Sequence, residues 1–218
     1  MTTPVLAIDF GTSNSAAAVL DGGKVVRQEI EPGAGTLPTA VFLEPGVGAM
    51  RIGTAAAAAL IAGDEGRYMR ALKSVLGTTL LHEPRLIAGR RRTLAQVVTA
   101  FLAQLKARAE AAAGQRFDRV LSGRPVHFHS GAPDRDAQAQ ADLRACYLAA
   151  GFAEVAFCPE PEAAALDRVW IVFDGADAAA LEVARDQWRG LTGAGSEAEY
   201  WSEEAGRWQM KTARRNPA

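Results

Sequence analysis

Residues 6–25, LAIDFGTSNSAAAVLDGGKV, constrain the fold more than any other stretch of this chain. An apolar run ends around Asp9, the small polar loop Gly11, Thr12, Ser13 and Asn14 follows, and a second apolar run closes on Asp21-Gly22-Gly23. Short apolar runs bounded by turn chemistry are the pattern of buried strands. The spacing predicts strands over 4–9 and 15–20, and Asp-Gly-Gly predicts a hairpin leading into Lys24–Gln28. The chain therefore opens with an antiparallel meander that carries a lone acid at its first turn. A loop of small residues lets backbone N–H groups approach a phosphate without side-chain obstruction. It could cradle the β- and γ-phosphates of a nucleotide while Asp9 holds Mg²⁺ through water. The same residues also suit a tight turn in which Asp9 and Thr12 satisfy turn amides. The loop contains neither Gly-Lys-Ser/Thr nor Gly-x-Gly-x-x-Gly, so a P-loop and a dinucleotide fingerprint are both excluded there.

Beyond the meander, Leu37–Leu43 reads as one extended piece, Ala55–Ala62 as an alanine-rich helix and Arg67–Leu76 as a shorter helix. Leu94, Val97, Val98, Phe101, Leu102 and Leu105 fall on one face of a long helix, with Thr93 as its N-cap. Arg119–Ser122 is a short strand that ends in Gly123-Arg124-Pro125. Asp134–Ala150 is a helix with Leu143, Cys146, Tyr147 and Ala150 on one side, and Gly151 is its C-cap. Glu154–Cys158 is a strand broken by Pro159-Glu160-Pro161, and Glu162–Leu166 begins a helix. Strands alternating with helices place this part in the α/β class.

The composition shifts after residue 166, because all four tryptophans lie beyond it. Val169–Phe173 reads as a strand. Asp177 caps a helix carrying Leu181, Ala184, Trp188 and Leu191, which Gly193 and Gly195 stop. Ala198–Trp201 and Arg207–Lys211 read as strands joined at Ala205-Gly206. That is a small β-α-β-β unit, and the boundary is placed at Leu166-Asp167, dividing the chain into 1–166 and 167–218.

Over 218 residues the net charge is −1, so no global field draws the chain toward nucleic acid or a membrane surface. The apolar stretch Ala55–Ala62 is too short to span a bilayer, and Met1-Thr2-Thr3-Pro4 lacks a basic leader region. Cys146 and Cys158 lack metal-type spacing and read as reduced thiols of a cytoplasmic protein. His127 and His129 share a strand face without further ligands nearby, and His82 is isolated.

AIDFGTSNS resembles the first phosphate motif of the 70-kDa heat-shock (DnaK-type) chaperones, within the actin-like ATPase fold. LPTAVFL, IGTAAAAAL, RALKSVLGT, LSGRPVHF and DLRACYLAAGFAEVAFCPEPEAAAL resemble successive segments of the same family, so the resemblance runs collinearly over residues 4–166. It implies an actin-like (ribonuclease-H-like) first lobe, a mixed sheet with flanking helices. It also implies ATP and Mg²⁺ as cofactors, ATP or ADP as ligand, and an unfolded client or co-chaperone as partner. By the resemblance, Asp9 is the metal-side acid, and Gly11, Thr12, Ser13 and Asn14 are the phosphate-wrapping turn. Lys73 reaches the γ-phosphate and positions the attacking water, and Glu160 orders water around Mg²⁺. Those roles suit phosphoryl transfer, which needs charge placed around the transferred group and an aligned water more than covalent chemistry. Taken alone, Lys73 reads as a solvated lysine and Glu160 as a helix N-terminal acid favoured by the dipole.

Where the family places its second lobe, Val169–Gly175 imitates the opening strand and acid, but Ala176–Leu181 turns helical instead of forming a glycine hairpin. The adenine and ribose then lack a wall. Since each charge-assisted hydrogen bond to phosphate contributes roughly 1.5–3 kcal/mol, weak or absent ATPase activity is expected. Residues 167–215 resemble instead the C-terminal end of the chi subunit of bacterial DNA polymerase III. That implies an alternative, a replication accessory that binds single-stranded-DNA-binding protein. Tyr200, Trp201, Lys211, Arg214 and Arg215 could form an aromatic–basic patch for an acidic peptide, or a solvated strand and frayed terminus. Trp170 and Trp188 read as core.

Overall fold

The computed structural model describes residues 4–46, 48–125, 128, 133–159, 182, 184–186, 188–189, 198–204 and 207–214. The chain divides into two compact units, Met1–Asp167 and Arg168–Ala218.

The first unit opens with the expected meander: β1 (Val5–Phe10), β2 (Asn14–Asp21) and β3 (Lys24–Arg27), each antiparallel to the one before. Asp21 pairs directly with Lys24, and both intervening glycines lie at positive φ, 54° for Gly22 and 80° for Gly23. That turn geometry matches the right-handed twist of the flanking strands. The chain then passes through β4 (Thr36–Pro38), β5 (Ala40–Leu43), β6 (Met50–Ile52), α1 (Thr54–Ala62), β7 (Arg67–Arg70), β8 (Arg85–Ile87) and β9 (Arg90–Arg92). It continues with α2 (Leu94–Ala113), β10 (Arg119–Arg124), α3 (Pro133–Ala149) and β11 (Glu154–Pro159).

The main sheet is six-stranded and mixed, in the order β11-β10-β1-β2-β3 with β4 paired to the first residues of β2. β1, β10 and β11 run parallel, in registers that place Ile8 beside Ser122 and Ser122 beside Phe157. The architecture is therefore mixed α/β, as the alternation of strand and helix patterns implied.

Leu94, Val97, Val98, Phe101, Leu102, Leu105 and Ala109 of α2 are buried, and Phe101 meets Phe10 of β1 with ring centroids 5.7 Å apart. Burying each large member of that stripe contributes about 1.5–3 kcal/mol. Thr93 caps α2 reciprocally with Gln96: the Gln96 N–H donates to Thr93 Oγ1 at 3.2 Å, and the Thr93 N–H donates to Gln96 Oε1 at 3.0 Å. At the end of α3 the Phe152 N–H reaches the Tyr147 carbonyl at 3.3 Å and the Gly151 N–H reaches Leu148 at 3.0 Å. Gly151 has φ 95°, so the predicted cap is a Schellman motif. Burial pushes the Cys146 thiol up to about 11, with a Thr99 hydrogen bond opposing the effect and the Asp142 charge adding to it.

Two local expectations need correction. Arg67–Leu76 is not a helix. Residues Arg67–Arg70 form β7, paired antiparallel with Leu43–Ala40, and a 3₁₀ turn over Leu72–Val75 follows. The break falls at Ala71, whose φ of 55° is incompatible with a continuing right-handed helix. Leu37–Leu43 is extended but splits at Thr39, since β4 joins the main sheet while β5 anchors a separate sheet with β6 and β7.

In the second unit, β12 (Ala198–Glu204) and β13 (Arg207–Arg214) form an antiparallel hairpin, with an irregularity between Tyr200 and Trp201. Glu182, residues 184–186, Trp188 and Arg189 are helical, and Arg189 pairs with Asp186 at 3.1 Å. The expectations for 162–166, 169–173, Trp170, Ala205-Gly206 and Arg215 lie outside the described residues.

Candidate functional site

Parallel pairing sets the carboxyl ends of β1, β10 and β11 along one edge of the main sheet, the edge where open α/β sheets take ligands. The Asp9 side chain and its turn emerge there. Strand alternation explains the acid: Ile8 and Phe10 are buried, so Asp9 between them faces the other side and is exposed.

The turn closes tightly on itself. A Cβ on Gly11 would sit 2.2 Å from the Asn14 carbonyl oxygen, so only glycine fits. Its far side is pinned by the crossover into β5. The Thr39 N–H donates to the Ser13 carbonyl at 2.8 Å, and the buried hydroxyls of Ser15 and Thr39 meet at 2.8 Å.

Above the turn lies a hollow of about 380 Å³. Thr12 and Ser13 form one wall and Thr39 a second, while Tyr68, Arg70 and Ala71 at the end of β7 form the third. Two segments distant in sequence therefore share one concavity: the first turn, and the strand end that runs into Lys73. Ala71 holds a left-handed conformation rare for a non-glycine residue, with a cost of order 1–3 kcal/mol that neighbouring structure must offset. The left-handed turn redirects the chain from β7 into the 3₁₀ turn that bears Lys73.

Lys73 is 9 % exposed, which is incompatible with a solvated lysine. Its Nζ lies 5.9 Å from the centroid of the Phe128 ring, and the Arg124 guanidinium carbon lies 5.6 Å from the same centroid. Arg124 ends β10 and is paired with Asp136 at 3.0 Å. Lys73 is thus drawn toward the carboxyl end of β10, the strand beside β1.

Asp142 of α3 holds the turn on the other side of Lys73, a role that sequence reasoning missed. It is 3 % exposed, and its Oδ2 accepts the Gly77 N–H at 2.8 Å. Its Oδ1 accepts the Gln138 amide at 2.7 Å and lies 3.0 Å from His82 Nε2. His82 is therefore not isolated. A signal was present: Ala139, Asp142, Leu143, Cys146 and Tyr147 are the buried stripe of α3, and an acid at a core position of such a stripe requires partners.

Tyr147 lies beneath the edge, fully buried, its hydroxyl 2.9 Å from that of Ser122. Burial pushes its phenol well above the usual range and the Asp9 carboxylate adds to that push, while the Ser122 hydrogen bond works against it. The phenol therefore stays neutral and close enough to feel the charge of Asp9.

Of the residues singled out from sequence, Thr12 and Ser13 line the hollow, Gly11 and Asn14 complete the same turn, and Asp9 immediately precedes it. Lys73 follows two residues after the Ala71 wall. Glu160, His127 and His129 lie outside the described residues. Among the described residues no group of three or more His, Cys, Asp or Glu could hold a metal ion. No described helix is long and apolar enough to cross a membrane.

No protein-family model matches the chain. The chaperone protein DnaK of Endomicrobium trichonymphae is 30% identical to it over 166 residues, 74% of this chain and 25% of that relative. This chain carries a DnaK-like segment. It spans about a quarter of the length of the relative it matches. The comparisons lend no support to a chi-type character of residues 167–215 or to single-stranded-DNA-binding protein as a partner.

Proposed function

We propose that residues 1–166 form an actin-like, DnaK-type lobe that binds the phosphate end of ATP or ADP with Mg²⁺, and that residues 167–218 are a separate small unit. The observation that carries this is the hollow in which Thr12 and Ser13 face the strand end leading into Lys73. The mixed sheet with flanking helices and the DnaK-like segment both support it.

In this reading the amides and hydroxyls of Gly11, Thr12, Ser13 and Asn14 wrap the β- and γ-phosphates. Asp9 faces the ion through water, since Mg²⁺ usually keeps several waters and takes one or two carboxylates plus phosphate oxygens. Bound there, the ion would neutralise charge on the phosphates. Lys73 directs its ammonium toward the γ-phosphate and the attacking water, and burial strengthens its field by excluding solvent. Glu160 orders water near the metal. Asp142, by fixing Gly77, keeps the Lys73 turn in place. Hydrolysis by this chain is proposed to be slow, because Ala176–Leu181 stands where the family's second phosphate turn would carry a glycine hairpin. Engagement of an unfolded client or co-chaperone is the extension of the same reading to a chaperone role.

Calorimetric titration of the purified chain with MgATP tests this. Saturable binding is expected, weakened about 10- to 100-fold by Asp9→Ala or Lys73→Ala, as follows from the loss of one charge-assisted contact. An absence of saturable heat, or an affinity in both variants unchanged from that of the unaltered chain, would refute it.

A further inference from the structure

We infer that Arg70 is a phosphate-binding residue of the same hollow, a second cation that grips the terminal phosphoryl group of a polyphosphate from the side opposite the Thr12–Ser13 turn. This rests on the proposal that the hollow takes the phosphate end of a nucleotide.

Arg70 is the last residue of β7, its backbone register fixed against Ala40, and it is one of the residues that line the hollow. It is exposed, so it meets a ligand arriving from solvent, whereas Lys73 is buried. Arg51, Arg108, Arg119 and Arg124 are each held by a carboxylate. The Arg70 side chain forms no ion pair or hydrogen bond with the described residues, and no acid lines the hollow among them. The walls therefore offer hydroxyls from Thr12, Ser13 and Tyr68 together with one guanidinium. Such a set favours an anion, and a guanidinium engages phosphate oxygens through two parallel N–H bonds where an ammonium acts as a point charge. Tyr68 and Arg70 project to the same face because they stand two apart on one strand. The left-handed turn at Ala71 ends the strand at Arg70 and redirects the chain into the 3₁₀ turn that bears Lys73.

The test compares the unaltered chain with Arg70→Ala and Arg70→Lys by calorimetry. The probes are MgATP, magnesium tripolyphosphate and AMP, and circular dichroism confirms folding. Arg70→Ala is expected to weaken both polyphosphates about tenfold or more while changing AMP less than twofold. Arg70→Lys keeps the charge but loses the fork, so it weakens them by a smaller factor and carries the test if Arg70→Ala does not fold. If the unaltered chain binds MgATP and both variants match it within twofold, Arg70 has no such role and the nucleotide reading stands. If the unaltered chain binds neither polyphosphate, both fall. Loss of MgATP binding without loss of tripolyphosphate binding would also overturn the assignment, because the contact would then be to the nucleoside.

Discussion

Replacing Asp142 with alanine lowers the stability of the folded chain by about 3 kcal/mol, the scale set by hydrogen bonds to a buried charged group. The carboxylate is almost fully buried, yet it holds the Gly77 N–H, the Gln138 amide and His82 Nε2 within hydrogen-bond distance. Removing it strands a buried backbone donor and leaves a void between α3 and the loop after Lys73. The loss is smaller than the sum of separate bonds, because desolvating the carboxylate already offsets part of their gain. Gly77 cannot shift to compensate: a Cβ there would lie 2.4 Å from the Arg135 carbonyl oxygen, so helix and loop are already in close contact. The midpoint of urea unfolding at unchanged slope measures the effect. Asp142→Asn, which keeps one acceptor oxygen, is expected to cost less. An unchanged midpoint in Asp142→Ala would mean that the loop carrying Lys73 is held by something else.

The Gly11→Ala variant is expected to lose at least about tenfold in MgATP affinity and to melt several degrees lower, at about 2–4 °C per kcal/mol for a chain of this size. The added Cβ would meet the Asn14 carbonyl oxygen at 2.2 Å, and the obstacle is backbone, which cannot rotate away as a side chain would. The turn must open. Opening displaces the Ser13 carbonyl from the Thr39 N–H and strains the Ser15–Thr39 hydroxyl pair beneath it. In the proposed site the turn amides then no longer wrap the phosphates together, so binding suffers more than stability. Calorimetry alongside a thermal melt separates the two effects. A folded Gly11→Ala variant that binds MgATP normally would remove the turn from the site.

Much of the first unit was legible because its determinants are local. The apolar runs around the Asp9 turn, the Asp-Gly-Gly hairpin and the stripes of α2 and α3 state their period within a few turns or residues. The strand at Arg67–Arg70 was not legible, since RYMR has no clean period of two and is held extended by pairing with β5. Nor was the turn at Ala71, because alanine seldom takes positive φ and only the surrounding structure compels it. The site was legible in halves. Residue type and resemblance marked the turn and Lys73. The burial of Lys73, the clasp on Asp142 and the place of Arg70 depend on closure between segments tens of residues apart, which no local pattern encodes.

The most direct measurement of the central claim is a map of backbone amide shifts in the ¹⁵N-labelled chain as MgATP is added. The largest changes should fall on Gly11–Asn14 and on Arg70–Lys73, two segments that share one hollow. Shifts confined to other parts of the chain, or no shifts at saturating nucleotide, would contradict the claim that this turn and this strand end hold the phosphates.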